Sequence, residues 1–206
     1  MIAITHAQAS TNILAAVEAR TLVQGKWHDR DREGRELACL LGAIHPSVTS
    51  PAECNGKLMP MWLAELTPTL FDGIPPAEIL PIARRYGELV GRWHVLTAAQ
   101  WKTILDRFLI RCIDDAVAAA RPVSEGKEYW PAVEAACAQA KAAIESNDPA
   151  AESAARSAAW SAAWSAAESA ESAAWSAAES AAYLSLFRFV LDQIESECAV
   201  TEGSRS

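Results

Sequence analysis

A chain of 206 residues, 51% of them apolar, is long enough to bury a core and too hydrophobic to stay unfolded as a whole. Its net charge of −8 is segregated: residues 1–121 carry 13 basic and 13 acidic groups, and residues 122–206 carry 5 and 13. That imbalance argues against direct nucleic-acid or anionic-membrane contact by the C-terminal part, and no run approaches the roughly 18 strongly apolar residues of a transmembrane helix.

The opening MIAITHAQASTN lacks the basic region and long apolar stretch of a secretory signal. The five cysteines, Cys39, Cys54, Cys112, Cys137 and Cys198, are odd in number, widely spread and free of any CxxC spacing. Reduced thiols in a cytoplasmic protein are the expectation. Strand signals are almost absent, and helix signals recur along the chain. Ser10 can cap a helix over about Thr11 to Val23. A charged loop, GKWHDRDREGR, follows, and then Leu37, Leu40, Leu41 and Ile44 at helical spacing. Ser50-Pro51-Ala52-Glu53 opens a short helix that Asn55-Gly56 ends. Pro60 opens the next helix, and Pro68 and Gly73 are expected to break its far end.

Ile79, Ile82, Tyr86, Leu89, Val90 and Trp93 form one apolar stripe, with Pro81 kinking or delaying its start. Thr97 to Gln100 is a capping box that opens a helix of about residues 98–120, whose buried stripe runs from Trp101 through Ile104 and Phe108 to Ile113. Arg121-Pro122 and the polar stretch around Gly126 read as a linker. A further helix starts at Pro131, with Val133, Cys137, Ala140 and Ile144 at heptad-like spacing.

Asn147-Asp148-Pro149 restarts the chain, and no proline or glycine follows before Cys198. As one helix this stretch would extend roughly 70 Å. Its first part is a run of four-residue units: SAAR, SAAW, SAAW, SAAE, a shortened SAE, SAAW, SAAE and SAAY over 153–183. The spacing places Trp160, Trp164, Glu168, Glu171, Trp175, Glu179 and Tyr183 along one ridge, beside a serine sector and an alanine sector. The 4+4+3 rhythm favours a nearly straight or right-handed bundle. Two readings of the tryptophans stand side by side: buried against the N-terminal domain, or exposed as anchors for a partner. A third reading makes the repeat a spacer whose near-identical units specify register weakly. Beyond Tyr183, the apolar residues Leu184, Leu186, Phe187, Phe189, Val190, Leu191 and Ile194 are expected in a core or subunit interface.

The chain is thus expected to be all-α. A helical globular domain covers 1–121, a linker and hairpin helix 122–148, the long repeat helix 149–198 and a tail 199–206. The repeat helix would form a hairpin or coiled-coil-like stalk.

Candidate chemistry is sparse. His28, Asp29, Asp31 and Glu33 crowd one loop, and Cys39, His45 and Cys54 are conceivable ligands, but neither set has a known metal spacing. Asp114 and Asp115 are adjacent and so point about 100° apart on a helix. No dinucleotide, P-loop, HExxH or nucleophile-elbow motif occurs. No metal, cofactor or catalytic residue is expected. Arg84, Arg85, Arg92, Trp93 and His94, with Lys102, Arg107 and Arg111 nearby, are the only basic and aromatic concentration. They could hold a nucleotide or phosphate, or they could pair with Asp106, Asp114, Asp115 and Glu88 on a helix surface.

The repeat units of 153–183 resemble the Ala/Ser-rich SAAW/SAAE repeats of uncharacterised phage and prophage proteins. The resemblance spans 31 of the 206 residues and implies a mobile-element setting, with no fold, activity or functional residue attached. The function expected is that of a non-enzymatic interaction or scaffold protein. It would be homo-oligomeric, gripping a protein partner with a basic surface through the Trp/Glu ridge, for example to block a host complex. The alternatives are a small-ligand binder at Arg84, Arg85, Arg92, Trp93 and His94, and a structural spacer.

Overall fold

The structure, a computed structural model, describes residues 4–54, 58–146 and 175–204. Among the described residues there are six α-helices and one short two-stranded antiparallel hairpin, so the fold is all-α. None of these helices is long and apolar enough to cross a membrane. The chain divides into two compact units: Met1–Trp101 with Ala177–Ser206, and Lys102–Ser176. The C-terminal helix is therefore part of the same unit as the first hundred residues.

In the first unit, α1 spans His6–Ala19. It starts earlier than Ser10 suggests because Thr5 and Gln8 form a reciprocal capping box. It ends where Arg20 turns into the left-handed region at φ 54°. The stretch expected as a charged loop forms a small β-hairpin: β1 (His28–Arg30) pairs with β2 (Glu36–Ala38). Its turn is built by Asp31, whose carboxylate accepts from the Glu33 and Arg35 amides, and by Gly34 at φ 80°. These local bonds fix a strand pair too short and too polar for an alternation signal. Leu37 accordingly lies in β2, while Leu40, Leu41 and Ile44 are buried around a 3-10 turn at Gly42–Ile44.

Helix α2 spans Met61–Gly73 and continues through Pro68 instead of breaking there. Burial of Leu63, Ala64, Leu70 and Phe71 on both sides of the proline offsets the missing hydrogen bond. Helix α3 spans Ile79–Val90, with Pro81 in its first turn, where a backbone N–H has no helical partner to lose. Its expected stripe is found: Ile82, Tyr86, Leu89 and Val90 are buried, as is Trp93 in the following turn. Close crossing with α1 requires Gly87, since a Cβ there would stand 2.9 Å from Ile13 Cγ2.

Helix α4 spans Ala98–Ser124 and α5 spans Trp130–Ser146. The expected Thr97/Gln100 capping box opens α4. The helix runs through Pro122, and the turn to α5 pivots on Gly126 at φ 84°. From Lys102 onward these two helices form the second unit, an antiparallel pair packed on Ile113, Cys137, Ala140 and Ile144. Asp114 pairs with Lys141 and Arg121 with Glu134, one heptad forward on α4 and one back on α5.

Helix α6 spans Trp175–Gly203. The remainder of the expected 149–198 helix, residues 149–174, lies outside the described residues. Phe187, Val190, Leu191, Ile194 and Cys198 are completely buried in the first unit. The helix lies parallel to α3. Arg188 binds Glu78, Glu195 binds Arg85 and Glu202 binds Arg92, each pair 110 residues apart in sequence.

Candidate functional site

The expected partner ridge divides at the edge of the described residues. Trp160, Trp164, Glu168 and Glu171 lie outside them. Trp175 begins α6, and Glu179 is exposed on its second turn. Tyr183 is half-buried and donates its hydroxyl proton to Glu179 at 3.4 Å. Its ring lies over Gly73 at the end of α2, where a Cβ would come within 2.2 Å of Tyr183 Cδ2. The ridge therefore ends as packing: Glu179 faces solvent, and one turn later Tyr183 is clamped against the domain.

The basic and aromatic group does not converge on one point. Arg84 turns to α1 and binds Glu18 at 2.6 Å. Its neighbour Arg85 turns to α6, holding Asp192 at 2.6 Å and Glu195 at 2.5 Å. Arg92 grips Glu202 with two parallel bonds, Nε to Oε1 at 3.0 Å and a terminal nitrogen to Oε2 at 2.7 Å. That bond holds the Glu202 carboxyl below the usual carboxylate range and pushes the Arg92 guanidinium up. Trp93 is buried, its ring edge-on to Tyr86 at 5.1 Å and to Trp101 at 5.6 Å. The Trp93 indole N–H is buried and has no hydrogen-bond partner. Arg84 and His94 are exposed, and Arg85 and Arg92 are half-buried. On α4, Lys102 pairs with Asp106 and Arg111 with Asp115. An anion bound at Arg92 would have to displace Glu202.

The charged hairpin lines an open groove of about 500 Å³ formed by His28, Asp29, Arg30, Glu36, Leu37 and Pro46. Its charges are spent locally: Lys26 binds Asp29, Arg30 binds Glu36 and Arg35 binds Asp31. The His28 ring donates to the Val48 carbonyl at 2.8 Å. No group of three or more His, Cys, Asp or Glu among the described residues is placed to hold a metal ion.

The thiols are held in their protonated form. Burial pushes Cys54 and Cys112 up to about 12 and raises Cys39, Cys137 and Cys198 as well. A thiol so raised is a poor nucleophile at neutral pH.

Two features escaped the sequence. The carboxylates that engage Arg84, Arg85 and Arg92 are Glu18, Asp192, Glu195 and Glu202, which are remote in sequence. The signal was present as two charge patterns at heptad spacing: minus, plus, plus at 78, 85 and 92 against plus, minus, minus at 188, 195 and 202. The second is the meeting of His6 with His94, rings 5.9 Å apart, for which no spacing rule exists. In comparison with known proteins, no family model, curated protein or solved structure matches the chain.

Proposed function

We propose that the protein acts by contact, as a non-enzymatic interaction or scaffold protein whose Ser/Ala/Trp/Glu repeat meets a partner with a basic surface. One observation supports this reading above the others: the last repeat units, Trp175 to Tyr183, are the opening turns of the helix whose continuation supplies five completely buried side chains to the first unit. The end of the repeat is thereby tied to a packed core. A segment meant only as a tether would gain nothing from that. The raised thiols and the carboxylate-bound arginines supply no obvious nucleophile or anion site, in keeping with a role in binding. A mobile-element setting would make a host complex the target. A cytoplasmic location and self-association belong to the same proposal.

The test is capture of partners from host lysate by the full chain, with identification by mass spectrometry, repeated with Glu168, Glu171 and Glu179 changed together to Gln. A specific partner retained by the parent and lost by the triple variant, or lost at high salt, supports the reading. Equal capture by both proteins overturns it.

A further inference from the structure

His6 is the first residue of α1, and His94 lies in the 3-10 turn Trp93–Val95 that follows α3. They are 88 positions apart, and the fold sets their rings 5.9 Å apart at a tilt of 55°. Each ring has one nitrogen on a backbone carbonyl: His6 Nε2 on Leu58 O at 3.0 Å, and His94 Nδ1 on Gly91 O at 3.0 Å. A carbonyl oxygen can only accept, so each of those nitrogens must carry the proton. In the neutral rings, the lone pairs are then fixed on His6 Nδ1 and His94 Nε2. A backbone carbonyl that takes one ring N–H and leaves the other nitrogen as a donor is how proteins orient metal-ligating histidines.

We propose that His6 and His94 together bind a borderline divalent transition-metal ion, of the Zn²⁺, Ni²⁺ or Cu²⁺ class, with water completing its coordination. A metal–nitrogen bond of about 2.0 Å puts an ion about 3.2 Å from each ring centre, so two imidazoles sharing it stand no more than about 6.4 Å apart. The separation here is within that limit. Imidazole suits these ions, whereas magnesium and calcium prefer oxygen. Desolvation of His6, and the nearness of His94, keep the His6 ring neutral to lower pH, the form a ligand needs. The Glu202 carboxylate carries negative charge into the same neighbourhood, where it senses His94, although Arg92 already holds both its oxygens. With two protein ligands the ion is exchangeable and is not a requirement for folding. Its effect is to tie the start of α1 to the end of α3.

The experiment is titration of tag-free full-length protein with zinc chloride by calorimetry, beside His94→Ala, His6→Gln, His28→Gln and His45→Gln. These are the four histidines of the chain. The Gln at position 6 keeps a donor for Leu58 O, and His94 is exposed, so neither change should unfold the protein. One zinc per chain is expected, with affinity falling at least about tenfold in each of the first two variants and unchanged in the other two. Copper binding should show two nitrogen couplings in its electron paramagnetic resonance spectrum. Absence of binding at millimolar zinc overturns the proposal, as does a loss of affinity as large in His28→Gln or His45→Gln as in His94→Ala.

Discussion

The α3–α6 seam and the α4–α5 pair are both zipped by ion pairs one heptad apart, yet they are built differently. The first is parallel, and its paired residues are 110 positions apart. The second is antiparallel and closed by a five-residue turn, 125–129. The short turn settles direction and register in the second unit, so its ion pairs are accessory. In the first unit no short connection does so, and the charge pattern carries the information. A slip of α6 by one heptad would set Glu78 against Glu195 or Arg85 against Arg188. Reversal of its direction would set Glu78 against Glu202 and Arg92 against Arg188. The correct register alone opposes unlike charges at all three levels.

The apolar content of the seams differs as well. Helix α6 buries a phenylalanine, a leucine, an isoleucine, a valine and a cysteine completely. The cluster that packs α4 on α5 is made from two isoleucines, a cysteine and an alanine, and two of the four keep 7% exposure. The largest effect is therefore expected at Phe187. Phe187→Ala removes the ring that packs edge-on to Tyr86 at 6.1 Å and should cost about 3–5 kcal/mol. Ile144→Ala should fall at the low end of the range for such truncations, about 2 kcal/mol, because small neighbours can close in. Hydrogen exchange followed helix by helix separates the two: Phe187→Ala should speed exchange in α3 and α6, and Ile144→Ala in α4 and α5. Equal acceleration in all four helices would mean that the units unfold as one.

The helices were legible where a local rule decided them. The Thr97 box set the start of α4, and the stripe from Ile82 to Trp93 set the buried face of α3. Thr5 and Gln8 formed an equally good box, but Ser10 competed with it in the sequence, and only packing of Ala9 and Ile13 chooses between the two starts. The hairpin could not be read, because its strands are three residues long and held by the side chain of Asp31. The pairing of Arg85 and Arg92 escaped notice for another reason, although its charge pattern is in the sequence. Each arginine has Glu88 three or four positions away, yet the choice falls to residues 110 positions away that come close only after α6 has buried its apolar face.

A middle-sized effect probes that choice. Arg85→Glu places a carboxylate between Asp192 and Glu195. The lost pairs are partly exposed, so their removal alone costs about 0.2–1 kcal/mol, with repulsion of similar size added. Glu195→Arg in the same chain should return most of the loss. Denaturant midpoints of the two single variants and the double variant measure the coupling. If the double variant is as weak as the sum of the singles, the ladder contributes nothing to register. The defect of Arg85→Glu should also shrink at high salt.

The smallest effect is a pH dependence confined to the His6 corner. Burial holds the His6 pKa below its ordinary 6.5, with the Leu58 carbonyl opposing and His94 adding to the depression. The unfolded chain therefore takes up the His6 proton before the folded one does. Above pH 6.5 both states are neutral at this residue and the folded state has its full stability. As pH falls below 6.5 the unfolded state gains protons first, and stability declines until the folded ring is protonated too. Once protonated, His6 gives up its lone pair and faces a second imidazole 5.9 Å away. Melting temperatures across this range should fall less steeply in His6→Gln than in the parent, while above pH 7 the two slopes should coincide. A parent protein whose stability rose on acidification through 6.5, by an amount that His6→Gln abolished, would show that the ring is stabilised as a cation and that the corner between α1 and the end of α3 is wetter than its packing indicates.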